Sequence, residues 1–351
     1  FSNALSVANQ RLLHFYELPF EWRENPYIIH GYRFYNKNST CLKSILHLNH
    51  NESANIWSHL FGSFFLLYLM LIHFPNKLFQ NNFHHINTNL IIAVYVFLLS
   101  SLNCLLSSVS WHTFSATTNL NLRQTCACID YTGITILITC SIISIEIIAF
   151  EFHYIKKLLF IISTSLIGFS GLLLNWSPTF DKNENKFLRI GFFCFLAFLG
   201  IFSFIIHCFI YGFFRSFVYF LPECKSLIWY LIGIVFYGYL IPEIWRSDIK
   251  IGKLLLNENL YQSELAKIQN NLQNHDNNDD KLSFSCCEKK LHETFFKLQP
   301  IKTKNHGNFF SLWWVDYIFS SHNFWHLCVL LGIVFHYFAL VSMIENLEVS
   351  Y

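Results

Sequence analysis

The sequence predicts an all-α integral membrane protein, a seven-transmembrane helix bundle with a cytosolic N-terminus. Three observations carry that expectation. Of 351 residues, 53% are hydrophobic, 19% aromatic and only 13% charged, a balance foreign to soluble domains. Seven stretches reach or approach the roughly 20 mostly apolar residues that cross a hydrocarbon core. The Lys and Arg residues between those stretches fall unevenly on the two sides.

The spans are read near residues 56–74, 89–111, 130–150, 158–174, 190–211, 227–245 and 325–342. Residues 1–55 then form a cytosolic N-terminal segment, 246–310 an inserted and partly disordered cytosolic loop, 311–342 the seventh span with its approach, and 343–351 a short tail on the far side. Around Leu18-Pro19-Phe20 and Trp22, aromatic and basic residues mix in a way that suits a short amphipathic helix lying on the cytosolic leaflet. Because the chain starts at Phe1 rather than Met, part of its N-terminus is expected to be missing, and no signal peptide reads from the residues present.

Orientation follows from the basic residues. Arg11, Arg23, Arg33, Lys37, Lys43, Arg123, Lys182, Lys186 and Arg189 lie on the N-terminal side, against Lys77, Lys156, Lys157, Arg215 and Lys225 on the other, which makes the N-terminal side cytosolic. The sequons at Asn38, Asn51 and Asn175 then face the cytosol and should carry no glycan. A net charge of only +2 gives no electrostatic footprint for nucleic acid. The eleven Cys follow no zinc-ribbon spacing and read mostly as buried thiols. Cys286 and Cys287 read as loop thiols open to solvent or to lipidation.

The inserted loop contains an Asn-rich stretch, 257–281, whose centre from Asn270 to Asp280 is polar, low in complexity and expected to be disordered. Leu254, Tyr261, Leu265, Ile268 and Leu272 recur at helical spacing there, as in a surface or docking helix.

The chemistry gathers on the cytosolic side. His112 closes span two, Asp130 opens span three, and His322 and His326 open span seven. A separation of four residues puts His322 and His326 on one helical face, and Ser108 and His112 likewise. Three imidazoles with one open position describe a catalytic-type tetrahedral zinc site. The alternative is a set of interfacial histidines bonded to backbone carbonyls. Agreement in depth between His112, the His pair and an intramembrane Asp favours the metal, because ionisable groups there need partners. Asp130 is then placed to act as base toward water, and Ser108 to orient water or an anionic intermediate, although an ordinary helix Ser bonded back to its own turn reads nearly as well. His207 could line a cavity. His336 lies ten residues beyond His326, about 15 Å along the helix, and is assigned a structural role.

At these residues the chain resembles the progestin and adipoQ receptor family, which includes the adiponectin receptors and is related to the haemolysin III proteins. The matching blocks are Asn25-Pro26-Tyr27-Ile28 with Gly31-Tyr32-Arg33, Lys43-Ser44-Ile45, Asn51-Glu52 with Asn55-Ile56-Trp57-Ser58-His59-Leu60, Ser108-x3-His112, Asp130-Tyr131-x-Gly133-Ile134, Ile241-Pro242-Glu243 and Ser321-His322-x3-His326. The resemblance covers residues 18–245 and 312–342. It implies seven spans, a cytosolic N-terminus and zinc held by His112, His322 and His326, with Ser108 and Asp130 beside it. The wider superfamily contains alkaline ceramidases, which implies a lipid-amide hydrolase reaction as an alternative activity. The N-terminal blocks resemble most the Golgi-resident branch that traps Raf kinase. Three departures stand out: Asn323 replaces a usual Gln, an insertion of some 60 residues replaces the usual run after Glu243, and the end of the chain lacks that branch's basic tail.

Two functions therefore compete: a receptor or scaffold whose N-terminal segment holds a cytosolic signalling partner such as a kinase at the Golgi, or an intramembrane zinc hydrolase acting on ceramide-like lipids. In the second, His112, His322 and His326 hold the metal, Asp130 handles the proton and Ser108 steadies the oxyanion. A passive channel or transporter is disfavoured, since no inverted repeat or pair of broken helices reads from the sequence.

Overall fold

The computed structural model describes residues 1–80, 87–177, 180, 185–250 and 301–347. The Asn-rich stretch 257–281, the helical pattern from Leu254 to Leu272, Lys182 and the Cys286-Cys287 pair lie outside the described residues. The chain divides into two units. One comprises Ala54–Ser115, Asn119–Tyr239 and Ser321–Tyr351, the other Phe1–Ser53, Ala116–Thr118 and Leu240–Ser320.

Among the described residues seven helices are long and apolar enough to cross a membrane, nearly all of their length in the first of these units: Ser53–Phe79, Thr88–Phe114, Leu120–Ala149, Tyr154–Asn175, Lys186–Tyr211, Phe213–Trp245 and Ser321–Glu345. Each runs past the apolar window that announced it, because a helix ends at a cap or a breaker rather than where hydropathy falls. Span three shows the largest consequence. It begins at Leu120, where the Asn119 side chain caps it by accepting from the Leu122 N–H at 3.2 Å, instead of at 130. The mixed polarity of residues 120–129 hid those first turns, so Asp130 lies inside the helix and not at its start. Arg123, expected in a loop, belongs to this helix and sits over the Trp111 ring at 5.0 Å. Span six begins at Phe213 rather than 227, since Pro222, Glu223 and Lys225 depress its hydropathy without ending the helix.

In their most apolar stretches, spans two, three and seven bury half or more of the residues, whereas spans four, five and six bury less than a quarter. The centre is built from Phe97 and Leu98 of span two with Ile333, Tyr337 and Leu340 of span seven, all fully buried. Glycine sets how closely span three approaches span two. A Cβ at Gly133 would come within 3.1 Å of both the Cys104 Cα and the Ser107 Cβ, so a larger residue would push the two helices apart.

Parts of the N-terminal segment, of the connection between spans two and three and of the connection between spans six and seven make up the second unit. A short helix, Ser2–Ala8, is followed by two 3-10 turns, Phe15–Glu17 and Phe20–Trp22. These turns stand where one amphipathic helix was expected. Pro19 separates them, having no N–H to give a helix, and Leu18 and Trp22 are buried within this unit, with the Trp22 indole donating to the Thr117 carbonyl at 2.9 Å.

Asp316 is the electrostatic hub here. Its Oδ1 accepts from the Ile29 N–H at 2.7 Å and Arg246 Nη1 at 2.8 Å, and its Oδ2 lies 2.8 Å from His30 Nδ1. Arg246 also grips Asp248 through Nε and Nη2, both at 3.0 Å, and donates to the Tyr27 carbonyl. Next to Asp248, a two-residue antiparallel ladder pairs Ile249 with Lys302 and Lys250 with Ile301, closing the base of the insertion.

Burial alone would raise the Asp316 pKa, but hydrogen bonds from His30 and the Arg246 guanidinium outweigh it and hold the carboxyl below its ordinary value. Asp316→Ala strips Arg246 of one of its two carboxylates, and the expected loss is about 3 kcal/mol, readable by denaturant melting in detergent. His50 gives a separate pH signature. Burial, with Arg33 nearby, lowers its pKa to about 4. The unfolded chain takes up this proton near the ordinary value of about 6.5, so the neutral folded form loses stability as pH falls from there toward 4. The melting temperature is expected to decline across that window, and less steeply in His50→Gln.

Candidate metal centre

The last turn of span two and the first two turns of span seven bring three imidazoles together. His112 Nε2 lies 3.1 Å from His326 Nε2 and 3.1 Å from His322 Nε2, and the three ligand atoms fall within 4.8 Å of one another. Nitrogens bound to one tetrahedral ion sit roughly 3.3 Å apart, given Zn–N bonds of about 2.0–2.1 Å. The donor set therefore fits a divalent ion that accepts neutral imidazole. His112 and His326 are buried and His322 partly so.

Groups behind the nitrogens fix how they face. His326 Nδ1 lies 3.2 Å from the Asn55 carbonyl and 3.3 Å from Ser58 Oγ. Donation from Nδ1 to the carbonyl leaves the Nε2 lone pair free for a metal, the usual outer partner of a histidine ligand. Asn323, between the two histidines of span seven, donates to Asn55 Oδ1 at 2.5 Å. The shorter side chain at this position thus ties the ligand-bearing helix to span one.

Of the other residues singled out by sequence, Asp130 lies within electrostatic reach of His112, and Ser108 is buried one turn before His112 on the same face. His336 is held elsewhere, with its Nδ1 2.5 Å from Glu223 Oε1. His207 is bonded to Ser216 Oγ at 2.7 Å.

One further residue lies beside the cluster. The His59 ring stacks on His326 at 3.7 Å between centroids, is buried, and has no hydrogen-bond partner at either nitrogen among the described residues. Its signal was in the sequence: Asn55, Ser58 and His59 fall on one face of an otherwise apolar helix.

A membrane bundle whose two inner helices share a three-imidazole cluster is the class that fold and site define. The haemolysin-III-related family model matches residues 47–337, and the chain belongs to this family, with the progestin and adipoQ receptors among its relatives. It is 40% identical over 344 residues to the ADIPOR-like receptor IZH3 of Saccharomyces cerevisiae, covering 97% of this chain and 61% of that protein. The protein of the same name from Eremothecium gossypii is 36% identical over 345 residues, 95% of this chain and 73% of its own length. Progestin and adipoQ receptor family member 3 of Homo sapiens is 28% identical over 191 residues, 54% of this chain and 60% of its own. The chain thus spans about six-tenths of the yeast receptor, and the two fungal receptors match far more of it than the human protein does.

Elemental analysis of purified protein should find metal lost from His112→Ala and His326→Ala but retained in His336→Ala. Ser58→Ala, which disturbs only an outer partner, should weaken metal affinity about tenfold.

Proposed function

We propose that the chain is a multi-pass membrane receptor or scaffold of the progestin and adipoQ receptor type, with a three-histidine zinc centre toward the cytosolic side. Its extramembrane unit holds a cytosolic signalling partner, a kinase at the Golgi on the resemblance of its N-terminal blocks. The convergence of His112, His322 and His326 on one point supports this reading most. An ion gripped by these residues ties span two to span seven and fixes the helix ends that lead into the extramembrane unit.

One observation favours a second reading, hydrolysis of a ceramide-type amide. Asp130 is an electrostatic neighbour of His112, more than a tether requires. Zinc bound by three imidazoles supplies Lewis acidity, polarising a carbonyl and bringing the pKa of water to about 7. Asp130 then takes the proton of the attacking water at its carboxylate and returns it to the leaving amine, while the Ser108 hydroxyl donates toward the oxyanion. The C–N bond breaks, the water oxygen joins the acyl carbon, and a fatty acid and a sphingoid base leave.

Fatty-acid release from ceramide by the zinc-loaded protein in detergent, beside Asp130→Ala, separates the two. On the hydrolase reading, release is present and disappears in Asp130→Ala, although that variant stays folded and zinc-loaded. On the receptor reading, neither protein releases fatty acid, His326→Ala lowers stability and kinase binding together, and Asp130→Ala changes neither. Full zinc content in both His112→Ala and His326→Ala would sink both readings.

A further inference from the structure

Span six is built inside out. Phe213, Phe217, Leu221, Ile228 and Leu231 are exposed, as suits a lipid-facing surface. The opposite face carries Ser216, Tyr219, Glu223, Ser226 and Tyr230, spaced three and four residues apart and hence in one stripe. Ser216, Tyr219, Glu223 and Ser226 are buried, and Tyr230 packs so closely on span seven that a Cβ at Gly332 would lie 2.6 Å from its ring. Tyr237 extends the stripe two turns further, its ring 5.4 Å from that of His322. From Ser216 to Tyr237 the helix rises about 30 Å, the thickness of the hydrocarbon core.

Along this stripe polar atoms outnumber their partners. The Tyr219 hydroxyl, Glu223 Oε2, and the Nε2 atoms of His207 and His336 are buried with no hydrogen-bond partner among the described residues, and the Tyr230 hydroxyl and Ser226 Oγ are buried with only each other in reach. Each such atom costs about 1–3 kcal/mol if left unpaired, too much for so many to be incidental. Successive side chains one turn apart lie about 5–6 Å from each other, a gap that one bridging water spans.

Both ends of the stripe connect onward. Ser216 Oγ lies 2.7 Å from His207 Nδ1, the His207 ring is 4.6 Å from that of Tyr211, and the Tyr211 hydroxyl lies 3.1 Å from His153 Nδ1 in the loop after span three. At mid-depth, His336 and Glu223 form an imidazole–carboxylate dyad at 2.5 Å. The Phe97 ring of span two faces the imidazole at 4.3 Å, and the Tyr230 hydroxyl lies within electrostatic reach of both Glu223 and the Cys104 thiol of span two.

We infer that the inner face of span six is a proton wire, carrying protons between the loop after span three and the metal end of the bundle through Tyr219, the Glu223–His336 dyad, Ser226 and Tyr230. A proton arriving at His336 Nε2 is matched by one passed from Nδ1 to Glu223, whose carboxyl gives it to the next hydroxyl or water. This leaves the imidazole protonated at Nε2, and a reorientation step, in which the ring turns, restores the first tautomer before the next transfer. One proton enters, one leaves, and nothing is oxidised or reduced. The wire stands independently of which function the metal centre serves.

The test uses the full chain, metal-loaded, in phosphatidylcholine vesicles enclosing a pH-reporting dye, with a potassium–valinomycin potential drawing protons inward. Acidification should be faster than in protein-free vesicles. Glu223→Gln should abolish the excess, and Tyr230→Phe should slow it about tenfold, the size of one missing hydrogen-bonded link. Metal content and melting temperature report whether each variant is folded. If Glu223→Gln is not, Tyr230→Phe and Ser226→Ala, each lacking a single oxygen, decide the question. Acidification no faster than in protein-free vesicles, unchanged rates in the folded variants, or a current carried by sodium at constant pH would each overturn the proposal.

Discussion

A polar side chain that enters hydrocarbon must find its partner inside the bundle, because lipid offers none. Much of the seven-helix unit follows from that requirement. His112, His322 and His326 turn toward one another, Asn323 reaches Asn55, and Glu146 draws hydroxyls from Thr164 on span four and Ser203 on span five. Apolar packing at Phe97, Ile333 and Tyr337 fills the centre but is tolerant of register. The polar pairs specify which helix faces which.

The same requirement explains what was legible in the sequence. Seven apolar runs mark seven spans by composition alone, and the His-x3-His spacing fixes a shared face without any knowledge of packing. Depth was the weaker inference. Mixed polarity in the residues before Asp130 makes it look like the start of span three, whereas Asn119 caps the helix well upstream. Span six was shortened for a related reason: Pro222, Glu223 and Lys225 lower a hydropathy average although the helix runs through them. Where polar residues serve the inside of a membrane protein, averaged hydropathy misplaces the helix that carries them.

Residues whose partners are remote in sequence were illegible. His59 shares a polar face with Asn55 and Ser58, but that face names no partner until His326, 267 residues later in number, comes to rest on its ring. Leu18, Pro19, Phe20 and Trp22 look amphipathic in isolation. Leu18, Pro19 and Trp22 are buried and Phe20 partly so, with Thr117, at the turn between spans two and three, accepting the Trp22 indole. Asp316 shows no motif at all, and its role appears only once Ile29, His30 and Arg246 arrive from two other segments.

The ladder that pairs Ile249 with Lys302 bears on how this chain has room to vary. Holding the two ends of an excursion side by side separates its length from the rest of the fold: once the ends meet, doubling the residues between them adds only about 0.6 kcal/mol of closure entropy. A segment anchored in this way can be lengthened, shortened or rewritten by drift with little penalty to the bundle. New sequence can therefore be tried between spans six and seven without disturbing the helices themselves.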